Sequence, residues 1–191
     1  MNDWLERLTT RLEPLLAQED PRQAISAYHD MPYAIFRYPP EDEFELRKEL
    51  VLLRTRLEQA GKRVTTISLA ELLHNAIEAE SSIHDLVEAE RTIGLAQAID
   101  TIHEILSKYK SLDGLVVEQM PADPDPLRDI VLIVRAGALF PMYRTSSLLE
   151  QLKGRVEVPS ILFFPGELDG AAGLRFMGVL DAEHNYRPMI F

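Results

Sequence analysis

Four kinds of chemistry have the right residue types somewhere in this 191-residue chain. Metal binding comes first. His74 and Glu78 are four residues apart, as are His84 and Glu88, and that spacing puts each pair on one face of a helix. His103-Glu104 lacks the second histidine of the H-E-x-x-H zinc signature. Two ligands fall short of the three that catalytic zinc takes from protein, and i, i+4 pairs also simply stabilise a helix. Nucleophilic hydrolysis comes second. Ser146-Ser147 has no G-x-S-x-G elbow around it and opens a helix, where hydroxyls act as caps. Cysteine is absent, so thiol nucleophiles, disulfides and thiolate-held metals are excluded.

Phosphate binding is the third. After the first predicted strand the chain reads Pro39-Pro40-Glu41-Asp42-Glu43, and three carboxylates at a helix start repel a phosphate. Arg135-Ala136-Gly137-Ala138-Leu139-Phe140-Pro141 follows a buried strand and precedes a helix. It therefore stands where an α/β sheet opens its ligand crevice, but it carries no G-x-G-x-x-G. Nucleic-acid binding is the fourth. Acids exceed bases by 31 to 20, for a net charge of −11. Residues 71 to 90 hold Glu71, Glu78, Glu80, Asp85, Glu88 and Glu90 with no Lys or Arg. Such a face is repelled by DNA, so no direct DNA binding is expected of the chain alone. Residues 151 to 191 carry four bases against five acids and form the neutral part of the sequence.

The elements that position these residues follow from hydrophobic periodicity. Trp4, Leu5, Leu8, Leu12, Leu15 and Leu16 predict an amphipathic helix over 2–18. Residues 34–38 predict a strand stopped by Pro39-Pro40, and Leu46, Leu50, Leu53 and Leu57 form one stripe of a helix ending at Gly61. A strand over 63–67 leads to a helix capped by Ser68 with Glu71, and the pattern stays helical to Lys108 with a break at Glu80-Ser81-Ser82. Asp113-Gly114 reads as a turn and Leu115-Val116-Val117 as a short strand. Ile130 to Val134 is apolar throughout, as expected of a strand buried on both faces. A helix over 146–153 follows, then strands over 158–164 and 174–180 joined by a Gly-rich loop from Pro165 to Gly173. The last connection is too short for a crossover helix, which predicts an antiparallel or edge strand. The order predicts one α/β domain over 1–191: a three-layer sandwich, its mainly parallel sheet covered by helices on both faces, with an edge strand near the C-terminus.

The longest uncharged apolar run, Ala136 to Tyr143, is too short to span a bilayer, and Met1-Asn2-Asp3-Trp4 does not start as a secretory signal does. A cytoplasmic protein without membrane contact is expected. The apolar C-terminal end, Met189-Ile190-Phe191, is expected to dock on its own domain.

Gly137-Ala-Leu-Phe-Pro-Met-Tyr-Arg144, Leu148-Leu149-Glu150, Val158-Pro159, Phe163-Phe164-Pro165-Gly166-Glu167-Leu168-Asp169-Gly170, Leu174-Arg175-Phe176 and Asn185-Tyr186-Arg187 resemble the BrxB family. That family belongs to BREX (bacteriophage exclusion) phage-defence systems, and the resemblance is sharpest over 129–191. It implies a small accessory component working beside a large ATPase, an adenine-specific DNA methyltransferase and PglZ, a member of the alkaline-phosphatase superfamily. It transfers no catalytic, metal or cofactor residues. The expectation is a non-catalytic adaptor that binds other BREX proteins, PglZ first. Its candidate edge comprises Arg135, Phe140, Tyr143, Arg144, Glu167, Asp169, Arg175, Tyr186 and Arg187. The alternative is a degenerate nucleotide-binding or hydrolytic domain with a crevice near Arg135, Arg144 and Asp169.

Overall fold

The computed structural model describes residues 2–25, 32–170, 173–183 and 188–191. The N-terminal amphipathic stretch is helical as expected: α1 (Asp3–Arg7), a π-helical turn (Leu8–Leu12) and α2 (Glu13–Leu16), followed by a short α3 (Arg22–Ile25). Strand β1 (Tyr33–Tyr38) then leads through a 3-10 turn to α4 (Glu43–Gln59), β2 (Arg63–Ser68) and α5 (Leu69–Glu80). Next come α6 (Ile83–Ile93), α7 (Leu95–Glu104), a second π-helical turn (Ile105–Tyr109) and α8 (Leu112–Glu118). The chain finishes with β3 (Asp129–Val134), α9 (Thr145–Leu152), β4 (Ser160–Asp169), β5 (Gly173–Phe176) and β6 (Met189–Ile190).

The strands lie in the order β2-β3-β4-β1-β6, all parallel along this path, and β5 pairs antiparallel with the far end of β4. Alternation along each strand sorts side chains to two faces. Ile35, Ile67, Val131, Ile133, Leu162 and Phe164 pack under α5, α8 and α9. Ala34, Phe36, Val64, Ile130, Leu132, Ile161 and Phe163 pack under α1 to α4, on the leucines at 46, 50, 53 and 57. This is the expected three-layer sandwich with a mainly parallel sheet. Each crossover keeps its helix on one face, so α4 carries the chain from β1 across the sheet to β2 at the opposite edge.

Local signals worked where side chains act on their own backbone. The Ser68 hydroxyl accepts from Glu71 N at 3.3 Å, and Ser82 accepts from Asp85 N at 3.0 Å, which breaks the helix at the expected place. Four expectations are corrected. Leu115 to Val117 is not a strand and Asp113-Gly114 is not a turn: both belong to α8, because Leu112 and Val116, one helical turn apart, are fully buried. Tertiary burial of that stripe outweighs the β-preference of two valines. The segment from Pro165 is not a loop but the continuation of β4 to Asp169, since Gly166 lets the β5 backbone approach without a Cβ in the way. The following strand stops at Phe176, where Met177, at φ 56°, turns the chain away.

The C-terminal end docks as expected. Phe191 is buried, its N–H donates to the Ile35 carbonyl at 2.8 Å, and Met189–Ile190 forms the edge strand beside β1.

Candidate functional site

The carboxyl ends of β1, β3 and β4 converge at one end of the sheet, where connecting segments leave in different directions. Here the turn after β3 meets the β4–β5 hairpin: a Cβ on Gly137 would lie 3.4 Å from Met177 Sδ and 3.5 Å from Pro165 Cγ. Arg135 begins that turn at φ 60°, an uncommon conformation for a residue with a side chain.

Two adjoining cavities open at this end. The larger, about 510 Å³, lies between α4 and the ends of β2 and β3, and Arg47, Arg54, Thr66, Ser68, Glu71 and Arg135 line it. The smaller, about 260 Å³, is walled by Pro40, Phe44, Ala138, Pro165 and Met177, again with Arg47 and Arg135. Arg54 holds Glu58 at 2.8 Å, and Arg135 approaches Glu71 only to 3.9 Å. Arg47 has no ion pair among the described residues; its guanidinium carbon stands 5.8 Å from the centre of the 72% exposed Phe44 ring. In the smaller cavity, the Glu43 carboxylate accepts the Tyr38 hydroxyl proton in a hydrogen bond.

The residues nominated from sequence fall into separate groups. Glu167, Asp169 and Arg175 share the β4–β5 hairpin, where Arg175 binds Asp169 at 2.7 Å and Glu167 is exposed. Arg144 reaches Glu183 at 2.5 Å, pinning the loop before α9 to the segment after the hairpin. Phe140 packs edge-on against Phe176, with ring centroids 5.9 Å apart. Tyr143 is buried; its hydroxyl donates to Gln151 Oε1 at 2.8 Å, and burial pushes its phenol above the ordinary value. Phe140 and Tyr143 therefore build the edge, while Glu167, Asp169, Arg144 and Arg175 present it. Arg135 stands apart at the cavities, so the crevice imagined from Arg135, Arg144 and Asp169 is divided between two places. Tyr186 and Arg187 lie outside the described residues.

Sequence reading passed over Phe44, Arg47 and Arg54. The available signal was their spacing, which puts all three beside the buried leucine stripe of α4. It read the apolar residues of α6 and α7 only as a continuing helical pattern. In the structure Leu86 and Ala98 are buried, whereas Ile83, Val87, Ile93 and Leu95 are 40%, 38%, 69% and 61% exposed.

Among the described residues, no three of His, Asp and Glu gather as metal ligands. Glu78 accepts from Ile83 N, Glu88 pairs with Arg91, and His103 Nδ1 lies 2.9 Å from the Met142 carbonyl oxygen.

The family described as "BREX protein BrxB" matches residues 65–190, from within β2 through β6. The chain belongs to the BrxB family. Membership makes it a component of BREX phage-defence systems. A curated relative, "BREX protein BrxB" of Bacillus cereus (strain H3081.97), is 25% identical over 188 residues, covering 96% of each chain. No solved structure matches the chain significantly. Among the described residues, no helix is long and apolar enough to cross a membrane.

Proposed function

We propose that the chain is a non-catalytic adaptor that acts in the cytoplasm and binds other components of its BREX system, PglZ being the first partner to test. The observation that carries this reading is the uncovered apolar surface of α6 and α7. Ile83 and Val87 lie one turn apart on α6, and Ile93 and Leu95 flank Gly94, which joins the two helices at φ 111°. Four exposed aliphatic side chains on one helical hairpin offer a contact surface to another macromolecule.

The charges around it specify the occupant. Glu78, Glu80, Asp85, Glu90 and Asp100 surround these helices, while the nearby cations Arg91 and Lys108 are taken by Glu88 and Glu104. The matching partner is a protein segment with an apolar centre and a Lys- or Arg-rich rim. The β4–β5 hairpin, with Glu167, Asp169, Arg175 and the 43% exposed Leu168, supplies a second contact.

Co-purification of tagged chain with its defence-system neighbours tests the reading. Retention of PglZ at moderate salt, weakening as salt screens the acidic rim, is expected. If no neighbour is retained and the lone protein turns over a substrate, the adaptor reading fails.

A further inference from the structure

We propose that the paired cavities along α4 form a binding site for a nucleoside phosphate. This goes beyond the adaptor reading and does not rest on it. Arg47 and Arg135 border both cavities, so a single anionic group at their junction meets two guanidinium forks. The larger cavity continues from that junction past Arg54 and the hydroxyls of Thr66 and Ser68, which suits further phosphate oxygens. The smaller one, walled by Pro40, Phe44, Pro165 and Met177, suits a flat apolar ring. Its volume and its neighbour's together lie in the range of roughly 300–1,000 Å³ typical of small-molecule sites.

The local charges allow an anion despite the chain's overall acidity. Glu58 is held by Arg54, and Glu43, which keeps its charge while accepting from the Tyr38 hydroxyl, lines the smaller cavity on the side of the helix start; Arg47 has no ion pair among the described residues and lies against the Phe44 ring. Arg135 begins the turn at the end of β3 with a positive φ, and its guanidinium makes only a long ion pair, 3.9 Å, with the exposed Glu71 carboxylate. The site also uses the end of the sheet at which open α/β folds bind ligands.

The test is isothermal titration of the isolated chain with ADP, ATP and inorganic pyrophosphate in magnesium-free, low-salt buffer, with melting temperatures in parallel. Saturable ADP binding that raises the melting temperature is expected. Arg47→Ala and Arg135→Asn should each weaken ADP about tenfold or more, as loss of a charge-assisted hydrogen bond does. Asn tolerates the positive φ at 135, and the unliganded melting temperatures of both variants should match the parent. Phe44→Ala should weaken ADP several-fold and leave pyrophosphate unchanged. Absence of binding at millimolar ligand, equal affinity for ADP and pyrophosphate, or unaltered binding by the arginine variants would each overturn the proposal. None of these results depends on a protein partner, so failure here leaves the adaptor reading standing.

Discussion

Gly166 of β4, whose register partner is Phe176, passes the preceding residue Arg175 of β5 so closely that a Cβ on Gly166 would lie 2.2 Å from the Arg175 carbonyl oxygen. The same Cβ would also lie 2.5 Å from the Phe164 ring. That ring packs at a tilt against Phe176, centroids 5.4 Å apart, and Phe176 meets Phe140, so the hairpin, the sheet and the turn after β3 share one aromatic cluster.

Gly166→Ala should therefore lower stability by about 1–3 kcal/mol, the usual penalty for forcing atoms into a packed site. Gly170→Ala, with nothing within 4 Å but φ at +67°, should cost about 1 kcal/mol from backbone strain alone. Urea unfolding of the two variants checks the order. A smaller loss at 166 than at 170 would contradict the close approach.

Tyr38 supplies an alkaline signature. Burial first, and then the Glu43 carboxylate, push its phenol well above the ordinary value of 10.0. The unfolded chain thus loses this proton near pH 10 while the folded chain keeps it. Stability from Tyr38 is fully present below pH 10 and declines above it, by about 1.4 kcal/mol per pH unit. Tyr38→Phe should flatten the fall measured in urea melts between pH 10 and 11. An identical slope in the variant would show that Tyr38 ionises equally in both states.

The first helix is tied to the turn before α4 by a part-buried hydrogen bond. Trp4, 2% exposed, donates its indole N–H to Asp42 Oδ2 at 2.8 Å. Asp42→Ala leaves that donor buried without its acceptor, at about 1–3 kcal/mol. Trp4 is the only tryptophan, so its fluorescence reads this junction directly. The variant should show a lower urea midpoint by both fluorescence and circular dichroism. Unchanged midpoints would place the N-terminal helix outside the cooperative unit.

Sequence patterns were most informative where one residue's surroundings are set by its near neighbours. The leucines of α4, the apolar run of β3 and the serine caps at 68 and 82 all carry their cause within a few residues. The fold's remaining features depend on distant partners. Leu112 and Val116 are helical because α5 and α9 cover them, and Met189–Ile190 is a strand because the edge of β1 is open to it. The candidate site followed the same division. The hairpin pair Asp169–Arg175 is local and was nominated, whereas Arg47 and Arg135 line the same cavities only because α4 crosses the sheet. The α6 and α7 stretch was legible as helical, but periodicity cannot say whether its apolar side has a cover within the chain.

The central claim is that this uncovered face seats a basic, apolar segment of a BREX partner. It is tested most directly by titrating purified PglZ into the parent chain and into the Ile93→Glu/Leu95→Glu variant. Both side chains are more than 60% exposed, so the variant should fold and melt like the parent. The account predicts that PglZ binds the parent and that the variant loses affinity by about a hundredfold, since each buried aliphatic anchor contributes about 1.5–3 kcal/mol. Failure of PglZ to bind the parent, or equal affinity for both proteins, would contradict it.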